Sequence, residues 1–511
     1  MKTSLLTFLL ICTTFTSCMS KNAVDIREFG AVGDARTLNT ESIQAAIDQV
    51  AASGGGSVII PKGNFVTGSI ILKDDVELKL EEDAVLLGST DFNHYKQGSH
   101  WYALILSLDA RNVRISGEGV IDGQALDLVD DVMTKLTRGE IEASHYRRNR
   151  PNEAVRPQLI EFTNVSNVSV QDVTLRNASG WTQTYINCDS LLLKGVKVRC
   201  TKYWNNDGVD LVDCTNVVVE DCDIISEDDG ICLKSHDSSR ICENIVIRNC
   251  KVSSGSSAFK LGTASHGGFK NIKVDNLYIY DTFRSAIALM VVDGGYMKDV
   301  EISNVTVKNS SGSFFINIGH RNQKVDIGTI DNIRLNNIDM EVNLDGKNIN
   351  YHRPNFHFPP RGERPAPHNP YPSTISGLPG HPIKNISFTD VTIKYFGGGK
   401  KQVAHISTDS LFQVPYNEKK YPEFHMFGEL PASAFFVRNV EGIQFKNLNI
   451  TYLEPDYRPA FIFDKVRDLT INELAVTNIE NLPMIVLNEV QGEKIKNIKA
   501  SLKGDIIKKQ N

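Results

Sequence analysis

Four stretches of the sequence are variants of one nine-residue phrase. Residues 214–222 read CTNVVVEDC, 242–250 read CENIVIRNC, 269–277 read FKNIKVDNL and 297–305 read MKDVEISNV. A polar residue is followed by apolar residues at alternate positions, which predicts a short strand with one buried face. The phrase recurs at roughly 23 to 33 residues, a period typical of solenoids, whose units bury their apolar faces against each other. The sequence therefore predicts an all-β fold, a single-stranded right-handed parallel β-helix.

The first position of the phrase tests this interpretation. It is apolar in every copy: Val165, Cys188, Cys214, Cys242, Phe269, Met297, Ile330, Ile383, Val440 and Val466. Such a row is required if equivalent residues stack along one internal wall. Cys222 and Cys250 fall on a second row, beside Leu277 and Val305. We therefore interpret the cysteines as small apolar core residues and not as disulfides or metal ligands, since no Cys-x-x-Cys pair occurs.

The N-terminal part of the chain predicts a cap. Asn39-Thr40 precedes apolar residues at 43, 46, 47 and 50, which indicates a capped amphipathic helix that ends at three glycines. A solenoid needs a cover over its exposed end. One domain is predicted over residues 22–505, with the repeat beginning near residue 110. The Pro-, His- and Arg-rich stretch 351–382 is interpreted as a loop insertion, either a solvated loop or a wall of a binding cleft.

Composition and the first residues indicate the compartment. The 511-residue chain is 41% apolar and has a net charge of −6, which is typical of a globular protein. It lacks the basic surplus of a nucleic-acid binder, so no nucleic-acid partner is predicted, and an acidic substrate would need a local basic patch. Residues 1–18 resemble a signal peptide with a lipobox-like end at Cys18. They predict export in a bacterium, as a periplasmic or outer-membrane-anchored lipoprotein; ordinary signal cleavage is the alternative.

Three neighbouring turns are rich in acidic or hydroxyl residues. Residues 204–210 read WNNDGVD, 226–235 read SEDDGICLKS and 256–262 read SSAFKLG. Aligning the strands that follow stacks Asp207, Asp229 and Ser257 in one column, with Asp228 in the next. Adjacent coils are about 4.8 Å apart, and carboxylates that close must bind a cation or hold a proton, which supplies a general acid. Acidic turn caps are the alternative, because Asp-Gly is a common turn pair.

Several motifs occur together along the chain: FGAVGD at 29–34, ISGEGVIDG at 115–123, Gly180-Trp181, Asn205-Asn206-Asp207, Asp228-Asp229 and Lys234-Ser235. In these motifs the sequence resembles the polygalacturonases and rhamnogalacturonan hydrolases of glycoside hydrolase family 28, over almost the whole chain after the first residues. Asn205-Asn206-Asp207 corresponds to the family's Asn-Thr-Asp motif, and Asp228-Asp229 to its Asp-Asp motif.

The resemblance implies a hydrolase that cleaves α-glycosidic bonds of galacturonate-containing pectic polysaccharide, without cofactor or metal. It implies that Asp228 is the general acid that protonates the leaving oxygen. Asp207 and Asp229 would activate the attacking water, with inversion at the anomeric carbon. Inverting enzymes usually have carboxyl groups about 6.5–9.5 Å apart, wider than stacked coils, so inversion is implied by the resemblance alone.

Two family motifs are altered. Gly-His-Gly falls on Ser256-Ser257-Ala258, and Arg-x-Lys, which grips a galacturonate carboxylate, falls on Ala288-Leu289-Met290. The resemblance then implies a rhamnogalacturonan-cleaving or exo-acting uronidase branch and not a classical endo-polygalacturonase. Strand alignment places Lys260 beside Ala288, and alternation predicts that it points outward, as a uronate contact or a solvated lysine. The candidate substrate-binding residues are Lys234, Lys260, Arg284, His266, Arg321 and Trp204.

Two other functions are open for a β-helix with acidic turns. A pectate-lyase-like protein would use the acidic cluster to bind Ca²⁺ and an Arg or Lys as base. A non-catalytic glycan-binding β-helix would not need a turn with three aspartates. The combination of motifs favours the hydrolase over both.

Overall fold

A computed structural model describes residues 22–342, 370–401, 414–480, 483–502 and 504–510. Within these residues, 35 strands form one continuous sheet, whose parallel pairings wind as a right-handed parallel β-helix. The fold prediction is confirmed. The signal segment 1–18 with Cys18, and the greater part of the predicted insertion 351–382, lie outside the described residues.

Each coil supplies one strand to each of three faces, called sheets A, B and C. Sheet A contains Ile70–Ile71, Tyr102–Leu108, Gln158–Thr163, Gln183–Ile186, Val209–Val212, Ile231–Ser235, Phe259–Ser265, Ile287–Val291, Phe314–Ile318, Ser373–Ser376, Ile485–Asn488 and Ile507–Gln510. Sheet B contains Ala23–Asp25, Gly56–Ile60, Val76–Leu80, Arg114–Gly117, Ser166–Gln171, Asp189–Lys194 and Thr215–Glu220. Sheet C contains Asp34–Leu38, Gly63–Thr67, Ala84–Gly88, Val120–Asp122, Thr174–Arg176, Lys197–Cys200 and Asp223–Ser226.

Later coils merge these faces into long bent strands. Strands that run through B and C are Cys242–Ser254, Gly268–Thr282, Tyr296–Ser310, Thr329–Val342, Ile383–Gly397 and Lys494–Ala500. Phe435–Asp456 and Phe461–Ile479 run through all three sheets. The strand Ile507–Gln510 pairs with Ile485–Asn488. The β-helix therefore continues past residue 505, the predicted end of the domain.

Helices and minor strands lie outside the coils. Helix α1, Thr40–Ala52, buries Ile43, Ala46, Ile47 and Val50 and packs on the first strands, as predicted for the cap. Asn39 is its N-cap residue, but its side chain accepts from Val32 N at 2.7 Å instead of capping the helix. Helix α2, Ala125–Arg138, was not expected. The remaining elements are 3₁₀ turns at Ile26–Phe29, Phe92–His94, Ala143–His145, Glu153–Val155 and Phe424–Phe427, a strand Lys96–Gln97, and a hairpin of Tyr146–Arg147 with Arg150–Pro151.

The predicted internal rows are confirmed. Cys242 pairs with Phe269, and Phe269 with Met297, in adjacent coils. Every member of the first row is at most 1% exposed. The seven cysteines in the described part of the chain are buried and free. Six of them belong to the hydrophobic core, where they act as small apolar residues, whereas Cys232 lies beside Asp210 and Lys260 on the outer face of sheet A.

Rows of Asn side chains, replaced by Asp, Ser or Gly in some coils, mark two of the three turns of the coil. Asn216, Asn244 and Asn271 have φ between 53° and 58°, a left-handed conformation that asparagine tolerates better than most residues. Asn271 Nδ2 donates to Asn244 Oδ1 at 2.7 Å, which bonds the turn from sheet A to sheet B in one coil to the next. Asn276 Nδ2 donates to Asn249 Oδ1 at 2.8 Å at the turn from B to C. The turn from C back to A varies in length from coil to coil.

The coils begin earlier than residue 110, where the sequence placed them. Gly56–Ile60 pairs with Val76–Leu80, which pairs with Arg114–Gly117. The early coil has Asp75, with φ 62°, in place of the asparagine, so it lacked the recurring phrase. Among the described helices, none has the length and apolar character to cross a membrane.

Candidate active site

The acidic turns lie between sheets C and A, in three successive coils. Gly208 N donates to Asp229 O, and Gly230 N to Ser257 O, both at 2.8 Å. These bonds stack the residues just before the sheet A strands, so Asp207, Asp229 and Ser257 form the predicted column. Asp207, Asp228 and Asp229 are 3 to 7% exposed. Three carboxyl groups thus meet in a site largely shielded from solvent.

A fourth acid and a lysine complete the Asp207 side of this cluster. Lys234 Nζ donates to Asp207 Oδ2 at 3.2 Å and also to Asp210 Oδ1. Asp210 follows on the strand Val209–Val212 and is 0% exposed. Among the described residues, Asp207 Oδ1 and Asp210 Oδ2 are buried without a hydrogen-bond partner. Each acid therefore has one oxygen held by the ammonium and one oxygen available for a proton.

Burial dominates the protonation of this pair. It raises the pKa of Asp207 well above the ordinary value, the charge of Asp210 raises it further, and Lys234 opposes both. Burial likewise raises the pKa of Asp210 to about 6 against the pull of Lys234. Burial lowers the pKa of Lys234, but the surrounding acids, Asp210 first, raise it well above normal. These shifts favour a proton on the Asp207–Asp210 pair while Lys234 stays charged.

A second lysine holds Asp229. Lys260 Nζ donates to Asp229 Oδ2 at 2.7 Å and to the Tyr421 hydroxyl at 3.1 Å, and Ser257 N donates to Asp229 Oδ1 at 3.2 Å. The predicted register is confirmed, with Lys260 between Cys232 and Ala288. Lys260 is 3% exposed, so it is an ion-paired residue of the site and not a solvated lysine.

Asp228 contacts the turn that precedes Asp207. Asn205 Nδ2 donates to Asp228 Oδ2 at 3.2 Å, and Asn205 adopts φ 58°. Its Oδ1 accepts from Arg156 at 2.8 Å and from Arg150 at 3.2 Å. The buried Arg156 guanidinium also donates to Trp204 O and Ser179 O. Two arginines therefore fix the amide that orients the Asp228 carboxyl.

Aromatic residues form a wall on the N-terminal side of the site. The backbone N–H groups of His100 and Trp101 donate to Glu161 on the outer face of sheet A, at 3.0 and 2.9 Å. Trp101 packs edge-on against Trp181 at 4.6 Å, and Lys234 Nζ lies 4.1 Å from the Trp181 ring centre. Burial, with His100 and Lys234, lowers the pKa of the neighbouring His236 to about 4. This imidazole is therefore neutral at neutral pH.

An apolar segment forms the opposite wall. Val414, Phe424, Met426, Phe427, Leu430 and Ala432 pack on the outer face of sheet A, against Ala288, Met290, Phe315, Phe436, Ile462 and Val486. This segment covers Ala288 and Met290, each 2% exposed, at the positions that the sequence resemblance aligns with Arg-x-Lys. Between the two walls the described floor is formed by Thr184, Asp210, Cys232 and Lys260. Four neighbouring strands span about 14 Å, so the two walls are close together.

The other predicted substrate-binding residues lie near the acidic cluster and its two walls. Arg284 Nη1 is 2.5 Å from Glu423 Oε1 of the apolar wall. Arg321 forms a two-pronged ion pair with Asp293 and donates to Thr263 at 3.2 Å. The Trp204 ring lies under the Arg150 guanidinium at 4.7 Å. His266 is half-buried and lies near His236, whose lowered pKa it favours.

The donor set of the cluster does not suit a metal ion. In the described ranges, no group of three or more His, Cys, Asp and Glu side chains is arranged to hold one. The ammonium groups of Lys234 and Lys260 occupy the space between the carboxylates where a cation would bind. Positive charge is thus supplied by the protein itself.

Comparison with known proteins identifies the family. The profile of "Glycosyl hydrolases family 28" matches residues 52–349, more than half of the chain. The chain belongs to this family. This family 28 glycoside hydrolase is 26% identical to a "Probable polygalacturonase" of Vitis vinifera, over 75% of this chain and 77% of the relative. It is 28% identical to an "Exo-poly-alpha-D-galacturonosidase" of Dickeya chrysanthemi, over 43% of each. In fold it is similar to an exopolygalacturonase of Thermotoga maritima, with a TM-score of 0.58, 22% identity, and coverage of 84% of this chain and 92% of that one.

Sequence reasoning missed part of this candidate site. Asp210 could have been predicted, because an acid between Val209 and Leu211 in a buried strand requires a partner. Trp101 and Tyr421 could not, since they come from turns far away in the sequence. Tyr421 is 161 residues from the Lys260 ammonium it contacts.

Proposed function

We propose that this protein is an exo-acting hydrolase that removes sugars from the end of a galacturonate-containing pectic chain. The single observation that carries the proposal is the acidic cluster between two walls that are only four strands apart. A site confined in this way accommodates few sugar rings, whereas cleavage within a long chain needs an open groove. The Dickeya relative is named an exo-poly-alpha-D-galacturonosidase, which supports the same branch. Cleavage within rhamnogalacturonan is the other candidate that the altered motifs favour.

Three aspartates carry the chemistry in this proposal. Asp228 protonates the leaving glycosidic oxygen, with Asn205 orienting its carboxyl. Asp207 and Asp229 activate the attacking water, which inverts the anomeric carbon. Asp207 must be ionised for this role, so its proton has to leave the Asp207–Asp210 pair. The ammonium of Lys234 stabilises the ionised form and is a positioning group here, as Lys260 is for Asp229.

The charges of the two lysines favour hydrolysis over a lyase reaction. A lyase of the pectate type needs a neutral amine or guanidine as base and a cation held by carboxylates. Burial lowers the pKa of Lys260, but Asp229 raises it well above normal. The neighbouring acids, Asp210 first, raise the pKa of Lys234 in the same way. Both amines therefore stay protonated and are poor bases, and both already neutralise the carboxylates that would bind Ca²⁺.

Product analysis tests the proposal. Polygalacturonan, rhamnogalacturonan I and rhamnogalacturonan II are digested separately, and the products are identified by mass spectrometry and their first-formed anomer by NMR. The expected result is a mono- or disaccharide from an acidic chain end, with the inverted anomer and no ultraviolet-absorbing unsaturated uronate. A ladder of internal fragments from rhamnogalacturonan I would support the second candidate, and chelator-sensitive unsaturated products would refute hydrolysis.

A further inference from the structure

A basic cavity of about 410 Å³ lies beside the N-terminal wall of the active site. It is lined by Trp101, Arg147, Arg148, Arg150, Asn152, Glu153 and Ala154. Three of these side chains are positive and one is negative, although the whole chain has a net charge of −6. The cavity is therefore a local basic site on an acidic protein, as recognition of an acidic ligand requires.

A tight hairpin presents the arginines. Arg147 pairs with Arg150, and the two residues between them, Arg148 and Asn149, have φ of 52° and 60°. A two-residue turn of this kind needs left-handed backbone at both positions, which asparagine and glycine tolerate and arginine does not. Non-glycine residues with strained left-handed backbone are enriched at functional sites. Arg148 is exposed at the tip of this hairpin.

The cavity has unneutralised charge and a direct link to the catalytic turn. In the described part of the chain, Arg147 and Arg148 have no ion-pair partner, whereas Glu153 Oε1 lies 3.4 Å from the buried Arg156. Arg150 Nη2 donates to Asn205 Oδ1 at 3.2 Å, and Asn205 in turn contacts Asp228. One amide side chain thus separates the basic cavity from the proposed general acid.

We propose that this cavity is a subsite for a carboxylate-bearing sugar, adjacent to the sugar whose bond Asp228 protonates. This inference deepens the proposed function and rests on it. The Arg147 and Arg148 guanidiniums bind the carboxylate through paired hydrogen bonds, and the Trp101 ring offers an apolar face to the sugar. The hairpin then supplies the positive charge that Ala288 and Met290 lack.

Calorimetric binding to the Asp228→Asn protein tests the subsite without turnover. The probes are trigalacturonic acid and its carboxyl-reduced counterpart. Replacing Arg147 and Arg148 together by Gln is expected to raise the Kd of the acidic probe about tenfold or more and to leave the reduced probe unchanged. Replacing both by Lys keeps the charge but not the paired geometry, so an intermediate Kd is expected. Arg148→Gly should weaken binding and raise the melting temperature by relieving backbone strain.

The control is Arg138→Gln, an exposed arginine at the end of α2, which should bind both probes normally. An unchanged Kd in the double Gln variant overturns the subsite. An equal loss of affinity for both probes, together with a lower melting temperature, also overturns the subsite, because the hairpin would then have only a structural role. If the wild-type enzyme cleaves acidic pectic chains while the double variant binds normally, the subsite alone fails. If the wild type cleaves none but charge-dependent binding persists, the proposed function alone fails.

Discussion

Lys234→Met removes the ammonium shared by Asp207 and Asp210 and keeps most of the side-chain volume. The three side chains are 9, 4 and 0% exposed, and Nζ lies 3.2 Å from Asp207 Oδ2. Charges at that distance interact by about 5 kcal/mol at an effective dielectric of 20. Removing one partner of a buried pair usually costs about 3–5 kcal/mol. We expect the free energy of unfolding to fall by about that amount near pH 7.

The loss should depend on pH, with a defined sign. Burial raises the pKa of Asp210 from 3.8 to about 6 despite Lys234. The stability linked to a raised folded-state pKa is fully present below the unfolded-state value and is lost as the pH rises through the folded-state value. Without Lys234 the pKa values of Asp207 and Asp210 rise further, so the deficit is largest near pH 7 and shrinks toward pH 4. Denaturant unfolding at both pH values measures this.

Activity should report the same change. Asp207 activates water only when ionised, so kcat/KM falls as the pH falls through its pKa. In Lys234→Met the acidic limb of the kcat/KM profile should move up by about one pH unit or more. Lys270→Met is the matched control, since its 2.7 Å pair with Glu243 is at the surface, and both limb and stability should be unchanged. The reasoning would be refuted if the acidic limb of the kcat/KM profile did not move and the loss of unfolding free energy were the same at pH 4 and pH 7.

The remaining predictions concern the other groups of the site and the core. Asp207→Asn, Asp228→Asn and Asp229→Asn should each lower kcat by about two orders of magnitude or more without unfolding the protein, although Asp207→Asn and Asp229→Asn remove partners of buried lysines and should lower the melting temperature; near-normal turnover in all three would contradict the assignment of the aspartates. Mass spectrometry after alkylation should find the seven described cysteines unbridged, and a reductant should not alter the melting temperature; one bridged peptide would contradict the core rows. Lys260→Met should lower kcat about tenfold or more on an acidic oligosaccharide, because Asp229 loses its partner; a change in KM alone would instead assign Lys260 to the uronate.

The β-helix could be predicted because its signals are local and repeated. Apolar alternation, a polar turn residue and a fixed period each recur many times, so stacking follows without knowledge of distant contacts. Helix α2 and the arginine hairpin were missed because each occurs once, in a single long turn between Val120–Asp122 and Gln158–Thr163. The early coils were missed because an aspartate takes the place of the asparagine at Asp75.

The site was predictable only as far as the coil register extends. Stacked turns placed Asp207, Asp228 and Asp229 together, and register placed Lys260 next to Ala288. Register gives no side-chain direction at the end of a long lysine, so the contact of Lys260 with Asp229 was not foreseen. The walls could not be predicted from the register, because the apolar segment that packs on sheet A belongs to a long connection between strands.

The amide rows lie at two of the three turns of the coil. The third turn, from sheet C to sheet A, differs from them in what it contains. Helix α2, the arginine hairpin, the three aspartates of the candidate site and both walls all lie in the turn from sheet C to sheet A. Because the rows on the other turns keep successive coils in register, this turn can lengthen or shorten without disturbing the core. Substrate preference can therefore evolve separately from folding. Transplanting one such turn between related enzymes would exchange specificity while leaving the scaffold that supports it intact.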